Sequence, residues 1–314
     1  MHSMSFDRLA QAIAEKQNPS VLGLDPKLDY IPAFLREASY KISGKTLSGA
    51  ADAILSFNKA LIDALCDVVP AVKPQCAYYE LYGWEGMRAL HDTIAYAKKK
   101  GLFVITDGKR NDIGSTMEAY AAAHLGTTAV EDVEFEAFGA DALTVNGYLG
   151  SDGILPLLDI CKKKDKGIFV LVKTSNPSSG ELQNQEMEGG DTLYQTMGRL
   201  CEHWGESLPG TCGYSGVGAV VGATYPEQLK ELRQALPHTF FLVPGYGAQG
   251  GGAADVAGAF DQNGLGAVVN ASRSIMCAWK KEDCPEEDFA QAARREALRM
   301  KEDILSHIRT IRLP

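Results

Sequence analysis

Eight short runs of β-branched and other apolar residues, separated by longer helical patterns, constrain the fold of this chain most strongly. Each run is almost continuously apolar rather than alternating, which indicates strands buried on both faces of a parallel sheet. Stretches such as AADAILSFNKALIDALCDVV, which lie between the runs, have the periodicity of amphipathic helices. The predicted strands are Ser20–Leu24, Pro70–Lys73, Leu102–Thr106, Asp141–Val145, Ile168–Lys173, Val217–Val221, Phe240–Val243 and Ala267–Asn270.

Eight strands joined by helical crossovers favour a closed (β/α)₈ (TIM) barrel of the α/β class over an open sheet. The length of 314 residues fits one barrel domain over residues 1–314, because such barrels commonly run past ~250 residues. No Pro-, Gly- or Ser-rich linker and no internal repeat divides the chain. The polar, glycine-rich stretch 176–191 predicts a mobile loop over a site.

Composition narrows the class of protein. A formal net charge of −9 argues against nucleic acid or an anionic membrane surface as the main partner, although a local basic site could hold a small anion. No run approaches the ~18 apolar residues of a transmembrane helix, and the N-terminal residues lack the apolar core of a signal peptide. The seven scattered cysteines contain no Cys-x-x-Cys pair, which favours reduced thiols in a cytoplasm, and the dispersed histidines indicate no metal site.

Polar residues and one proline stand at or just after the ends of the predicted strands, where such barrels carry their catalytic groups. They are Asp25, Lys73, Asp107, Asn146, Ser175, Pro244 and Asn270. In the segment TDGKRNDIGST at 106–116, alternation along a strand points Asp107 and Lys109 the same way, and Asp112 in the following turn can reach away from its own strand. The same spacing also fits an alternative without function, in which these charges lie at a solvated strand end and their ion pairs contribute only ~0–1 kcal/mol.

A second informative segment, PGYGAQG, follows the seventh predicted strand and contains Gly245, Gly247 and Gly250. The Gly-x-Gly-x-x-Gly spacing also occurs in dinucleotide-binding sheets, but there it follows the first strand of a unit. In barrels, the loops after strands seven and eight commonly bind phosphate through backbone N–H groups. A phosphate site is therefore favoured, and Arg273 can supply a two-pronged cation to it, with a surface salt bridge as the alternative role.

Six segments, taken in order, resemble the orotidine 5′-phosphate decarboxylase family. Asp107-Gly-Lys109-Arg-Asn-Asp112-Ile113 resembles the family's Asp-x-Lys-x-x-Asp-Ile signature, and Lys73 stands where the family places the first lysine of a Lys-Asp-Lys-Asp array. The other segments are LGLDP at 22–26, AVKPQ at 71–75, TSNP at 174–177, VPGYGAQGG at 243–251 and NASRSI at 270–275. The residues of these segments and the length of the chain are similar to those of the longer bacterial branch of the family.

The resemblance implies a carboxy-lyase that converts orotidine 5′-monophosphate (OMP) to UMP and CO₂ without cofactor or metal, in the last step of de novo pyrimidine nucleotide synthesis. Lys109 is then expected to stabilise and protonate a carbanion at C6 of the pyrimidine, while Asp107 faces the departing carboxylate. Lys73 and Asp112 would hold the charged array. Because the family takes its last aspartate from the neighbouring subunit, the resemblance also implies a homodimer in which Asp112 completes the partner's site.

The resemblance further implies three groups of substrate contacts. They are Asp25 and Thr116 for the ribose hydroxyls, Gln249 and Arg273 for the 5′-phosphate, and Ser175, Ile113 and Pro244 for the pyrimidine and its pocket. Thr116, like Asp112, is expected to act across the dimer interface. Shorter relatives often have a histidine where Asn176 follows Ser175, so the choice among Thr174, Ser175 and Asn176 as the base contact stays open.

Two rival functions are weaker. Related barrel enzymes that handle sugar phosphates, such as hexulose-6-phosphate synthases, share Asp-x-Lys-x-x-Asp but bind Mg²⁺ through an acidic residue where this chain has Lys73, which would repel a divalent cation. A barrel that only binds nucleotides would have to keep its lysines and aspartates without using them, although unpaired buried charge costs several kcal/mol. The residues therefore favour the metal-independent decarboxylase.

Overall fold

A closed barrel of eight parallel strands forms the centre of the protein. The structure is a computed structural model that describes residues 5–247, 250–282 and 284–314. Its strands are β1 (Ser20–Leu24), β2 (Ala71–Pro74), β3 (Phe103–Arg110), β4 (Thr128–Val130), β5 (Val133–Phe135), β6 (Ala142–Val145), β7 (Gly167–Lys173), β8 (Val217–Val221), β9 (Phe241–Val243) and β10 (Ala267–Ala271). The barrel runs β1-β2-β3-β6-β7-β8-β9-β10 and closes by pairing β10 with β1. The predicted (β/α)₈ barrel is confirmed, and each predicted strand is present, with β3 extended to Arg110.

Helices connect successive barrel strands and cover the outside of the barrel. They are α1 (Ser5–Lys16), α2 (Ala33–Ser43), α3 (Leu47–Leu65), α4 (Ala77–Glu80), α5 (Gly83–Lys99), α6 (Gly114–His124), α7 (Leu155–Lys164), α8 (Gly180–Gln183), α9 (Leu193–Gly205), α10 (Pro226–Ala235), α11 (Ala253–Val256), α12 (Arg273–Met276), α13 (Ala278–Lys281) and α14 (Phe289–Leu305). In α3, the Thr46 hydroxyl caps the first turn by accepting from Gly49 N. Ile54, Phe57 and Leu61 then recur at helical spacing and are buried.

The amino-terminal helix α1 closes the end of the barrel where the strands begin. Phe6 is completely buried there, and its ring centroid lies 4.7 Å from that of Phe169 and 5.5 Å from that of Phe240. Both partners belong to a cluster of apolar side chains from the first residues of several strands. Because the described residues fill this end, the carboxyl ends of the strands remain for a ligand.

One element was not predicted from the sequence. β4 and β5 pair antiparallel as an exposed hairpin between α6 and β6. Val130, Val133 and Phe135 share one exposed face of it, while Glu134 on the opposite face lies 3.6 Å from Lys164, measured from Oε2 to Nζ. Each strand has three residues, too few for alternation to stand out in the sequence.

The segment 176–191, predicted as a mobile loop, contains regular structure. A 3₁₀ turn over Pro177–Ser179 leads into α8, and Met187 N donates to Asp191 O at 2.7 Å. Its mobility stays a prediction.

Two global features bear on the environment of the protein. Within the described ranges, no helix is both long and apolar enough to cross a bilayer. All seven cysteines carry free thiols.

We expect Phe6→Ala to lower the free energy of unfolding by about 3–5 kcal/mol, because the truncated side chain leaves a cavity among rings that cannot close in on it. Urea denaturation measures this loss. Ile42→Ala, at a position that is 88% exposed, is the control and should change the free energy by less than ~0.5 kcal/mol. Equal effects of the two substitutions would show that α1 does not close the barrel core.

Candidate active site

A cavity of about 770 Å³ opens at the carboxyl ends of the barrel strands, a volume typical of small-molecule sites. Predicted site residues that line it are Asp25, Lys73, Asp107, Lys109, Ser175, Pro244, Gly245 and Arg273. These residues follow or end six different strands, and barrel closure brings them together. Asn270 also lines the cavity, whereas Asn146, another polar residue at a strand end, does not.

The charged centre of the cavity is Asp107, which is clamped between two ammonium groups. Lys73 Nζ donates to Asp107 Oδ2 at 2.5 Å, and Lys109 Nζ donates to Asp107 Oδ1 at 2.6 Å. The side chains of Lys73 and Asp107 are only 5% and 9% exposed, while that of Lys109 is 46% exposed. The predicted common direction of Asp107 and Lys109 is therefore confirmed, and Lys109 is the more open of the two lysines towards a ligand.

The pKa values at this centre favour the charged forms. Burial alone would raise the pKa of Asp107, but the charges of Lys73 and Lys109 outweigh burial and hold the pKa well below its usual range. Burial would likewise lower the pKa of Lys73, but the negative charges of Asp107 and Asp25 outweigh burial and raise it. At neutral pH the carboxylate and the buried ammonium are both ionised.

Thr144 is a buried polar residue that sequence reasoning missed. Its hydroxyl accepts from Lys109 N at 3.0 Å and donates to Asp107 Oδ1 at 2.8 Å. The pairing of β3 with β6 shifts register between Thr106 and Arg110, and Lys109 has φ +48°. A lysine in the left-handed region costs about 1 kcal/mol or more, so Thr144 stabilises a strained backbone that aims the Lys109 ammonium.

One wall of the cavity is apolar. Leu171, Val220 and Leu242, from β7, β8 and β9, line it. Charges facing such a wall interact more strongly than they do in water, because the effective dielectric is lower. The cavity thus has one face suited to charge and another suited to a flat apolar ring.

The turn after β7 leaves Ser175 facing the cavity. Gln183 accepts from Thr174 N at 2.9 Å and donates to Thr174 Oγ1 at 2.7 Å, and Thr174 Oγ1 donates to Asn176 Oδ1 at 2.6 Å. Within the described residues, the Ser175 hydroxyl makes no side-chain hydrogen bond of this kind and is left for a ligand. Gly222 allows the close approach of Ser175, because a Cβ there would lie 2.9 Å from the serine Cα.

The glycine loop agrees only in part with the predicted phosphate site. Gly245 lines the cavity and has φ +101°, which favours glycine. Gly247 and Gly250 also have positive φ, but neither lines the cavity, and their N–H groups donate to Gly251 O and Gly247 O within the loop. The N–H groups of these two glycines are bonded within the loop, and their role in phosphate binding stays a prediction. Gln249 lies outside the described residues.

Three predicted site residues lie away from the cavity of their own chain. Asp112 accepts from Ile113 N at 2.8 Å, and Ile113 and Thr116 are exposed. The expectation that Ile113 lines the pocket does not hold within one chain, because the turn after β3 and the start of α6 carry residues 111–116 outward. Asp112 and Thr116, which were expected to contribute to a partner's site, do not line the cavity of their own chain.

Further cavity residues had little or no signal in the sequence. They are Lys27, Tyr30, Tyr78, Thr144, Gln183, Ser272 and Met276. Lys27 and Tyr30 follow the LGLDP segment closely, so their position just after a predicted strand was the one signal for them in the sequence. Two buried acceptors in the cavity, Asp25 Oδ1 and Asn270 Oδ1, have no donor within the described residues. They are suited to hydroxyl or N–H groups of a ligand.

Fold and site define a class of (β/α)₈-barrel protein with a lysine-flanked carboxylate at the carboxyl ends of its strands. Residues 47–283 match the family model described as Orotidine 5′-phosphate decarboxylase / HUMPS family, and the chain belongs to this family.

Individual relatives agree with this assignment. An orotidine 5′-phosphate decarboxylase from Rhodopirellula baltica is 46% identical over 301 residues, which cover 95% of this chain and 97% of the relative. One from Clostridium tetani is 41% identical over 306 residues, 97% of this chain and 99% of the relative. The solved structure of Leishmania donovani OMP decarboxylase has a TM-score of 0.71 at 29% identity and covers 95% of this chain and 99% of that one. The resemblance inferred from six sequence segments is confirmed.

The contact of Asp107 with Lys73 and Lys109 leads to a testable prediction about stability. Asp107→Asn should lower the free energy of unfolding by about 3–5 kcal/mol, because it leaves the buried Lys73 ammonium without its bonded anion. The double variant Lys73→Met/Asp107→Leu, which removes both buried charges, should lose less. Urea denaturation at neutral pH compares the variants. Asp63→Asn, which removes an exposed partner of Lys100, is the control and should change little; a double variant as unstable as the single one would contradict the prediction.

Proposed function

We propose that the protein is a carboxy-lyase that converts OMP to UMP and CO₂, the last step of de novo pyrimidine nucleotide synthesis, without cofactor or metal. The observation that carries the proposal is the Asp107 carboxylate held between the ammonium groups of Lys73 and Lys109, in a cavity that also has an apolar wall. The relatives described above bear the name of this activity.

Lys109 has the position and chemistry of the proton donor. When the bond from C6 to the carboxylate breaks, CO₂ leaves and the electron pair stays at C6, where the pyrimidine offers no conventional electron sink. The Lys109 ammonium stabilises this charge and then transfers a proton to C6, and the resulting amine regains a proton from solvent. Its contact with Asp107 and the Thr144 bond to its backbone orient it before substrate arrives.

Asp107 acts on the substrate carboxylate. The low pKa keeps Asp107 ionised, so a substrate carboxylate placed beside it is repelled, and the repulsion ends as neutral CO₂ departs. An interaction that is less unfavourable in the transition state than in the bound substrate accelerates the reaction. Lys73, buried on the other oxygen of Asp107, fixes the position of the carboxylate.

The active form is a homodimer in which Asp112 and Thr116 complete the partner's site. Neither residue reaches the cavity of its own chain, although both follow directly from the strand that carries Asp107 and Lys109. Among the described residues, Lys73 and Lys109 form ion pairs with the same carboxylate, that of Asp107. A partner aspartate would balance the second ammonium and contact the ribose together with Thr116.

Binding of the substrate follows from the chemistry of the remaining cavity residues. The unpaired Asp25 Oδ1 accepts a ribose hydroxyl, Arg273 and the Gly245 turn hold the 5′-phosphate with Gln249, and the Ser175 hydroxyl contacts the pyrimidine. Pro244 and the apolar wall pack against the ring. Of the residues Thr174, Ser175 and Asn176, Ser175 is favoured as the base contact because the side chains of the other two bond to each other.

The donor set at this site does not fit Mg²⁺, as the sugar-phosphate relatives would require. Both oxygens of Asp107 accept from ammonium groups, and Lys73 stands where those relatives carry an acidic residue. Within the described residues, no three His, Cys, Asp or Glu side chains converge as a metal centre needs.

The setting of the enzyme follows from bulk properties. Seven free thiols fit the reducing cytoplasm. A net charge of −9 fits a protein whose ligand is a small molecule and whose partners are neither nucleic acid nor membrane.

The activity is tested by the ultraviolet absorbance change when OMP is added to purified protein. We expect conversion to UMP at the same rate with and without EDTA. Lys109→Ala should abolish turnover but retain binding of UMP in calorimetry, because the proton donor is lost while the phosphate and ribose contacts stay. Turnover by Lys109→Ala, or its loss in EDTA, would contradict the mechanism and favour a metal-dependent relative.

The shared site is tested by mixing two inactive variants, Lys109→Ala and Asp112→Ala, and letting their subunits exchange. A hybrid dimer contains one site with both defects and one intact site, so random exchange should restore about a quarter of wild-type activity. No recovery, despite hybrid formation shown by a tag on one variant, would place Asp112 in its own chain's site.

A further inference from the structure

Lys173, the last residue of β7, is a completely buried lysine that the proposed reaction does not use. Its ammonium donates to Asn184 Oδ1 at 2.8 Å and to Ser179 Oγ at 3.2 Å. The Nζ atom also lies 4.4 Å from the ring centroid of Tyr225 and 5.6 Å from that of Tyr194. Among the described residues, no carboxylate forms an ion pair with it.

A register shift directs Lys173 away from the cavity. Regular alternation along β7 would point Lys173 in the same direction as Leu171, which lines the cavity. The pairing of β7 with β8 slips between these two residues, so that Leu171 pairs with Val220 and Lys173 with Val221. The extra residue turns Lys173 out of the barrel and under the segment 176–191.

Burying this charge does not stabilise the fold. Burial lowers the pKa of Lys173, which means that the surroundings disfavour its charged form. The Tyr225 ring compensates only in part. A methionine would fill the same space without the cost of desolvation, so the lysine needs another reason to be there.

The contacts of the ammonium give that reason. Ser179 and Asn184 flank the two ends of α8, so one ammonium bridges both ends of the helix. A helix of four residues cannot hold itself together in water. Gln183, its last residue, makes the two bonds that shape the turn at Thr174 and lines the cavity.

We propose that Lys173 is a positioning residue: its buried ammonium clamps α8, and through Gln183 it holds the turn that presents Ser175 to the substrate. This inference rests on the proposed role of Ser175 in substrate binding. The clamp itself is independent of that role, because it concerns the order of the segment 176–191 in the protein without substrate.

The test is Lys173→Met, examined by three measurements. A protease that cuts after glutamate should cleave the segment about tenfold faster, because a bond to a charged group is lost at each end of α8. Its sites there are Glu181, Glu186 and Glu188. The KM for OMP should rise about tenfold with a smaller change in kcat, since the clamp acts on binding geometry. The melting temperature should stay the same or rise, which a merely structural role would not produce.

Matched variants make the result specific. Asn184→Ala, which removes the bond at one end of α8, should also speed cleavage and raise KM. Adding Lys173→Met to it should have a smaller effect than Lys173→Met has alone, because both changes break the same bridge. Lys166→Met removes a second buried lysine, which lies near Asp141 and away from the segment, and should change neither cleavage nor KM.

Unchanged cleavage and KM in Lys173→Met would overturn the proposal. A higher KM together with a lower melting temperature would also overturn it, because general destabilisation would then explain the change. If Lys173→Met does not fold, Asn184→Ala alone decides by the same measurements. The cleavage readout needs no turnover, so it separates failure of the clamp from failure of the proposed activity.

Discussion

The Asp107 carboxylate between two lysine ammonium groups is the interaction on which the rest of the structure depends. A buried carboxylate and a buried ammonium are each costly alone, and their contact at 2.5 Å offsets much of the cost of their burial. That contact requires β2 and β3 to be neighbours in the barrel, and it requires a strained backbone at Lys109 that Thr144 supports. The same arrangement keeps the carboxylate ionised and the Lys109 ammonium beside it, and the proposed chemistry needs both.

The barrel serves this centre by separating two functions between its ends. Helix α1 fills the end where the strands begin with Phe6 and its aromatic neighbours, and Arg8 of the same helix forms an ion pair with Asp141. The carboxyl ends carry the polar residues and remain open to a ligand. The segment 176–191 belongs to this open end. The Lys173 clamp that we propose would keep this segment ordered, although burial of the ammonium lowers the stability of the fold.

Prediction from the sequence succeeded where one local pattern has one structural outcome. A short, continuously apolar run such as Val217–Val221 fits a strand buried on both faces, and its observed bounds agree with the predicted ones. The hairpin β4–β5 escaped prediction because its strands are short and exposed, so burial leaves no pattern in them. At the site, a charged or polar residue at a strand end was a good guide for Asp25, Lys73 and Asp107, but it also selected Asn146, whose side chain instead accepts from Tyr148 N.

The sequence by itself determined the strands, the barrel class, the family and the charged residues of the site, because apolar periodicity and residue order are local properties of the chain. Tertiary structure alone decided which side chains share the cavity. Thr144 became a partner of Asp107 through the register shift of β3 against β6, and a similar shift in β7 turned Lys173 away from the cavity that Leu171 lines. A register between strands depends on pairing across the barrel, and no single segment of the sequence encodes it.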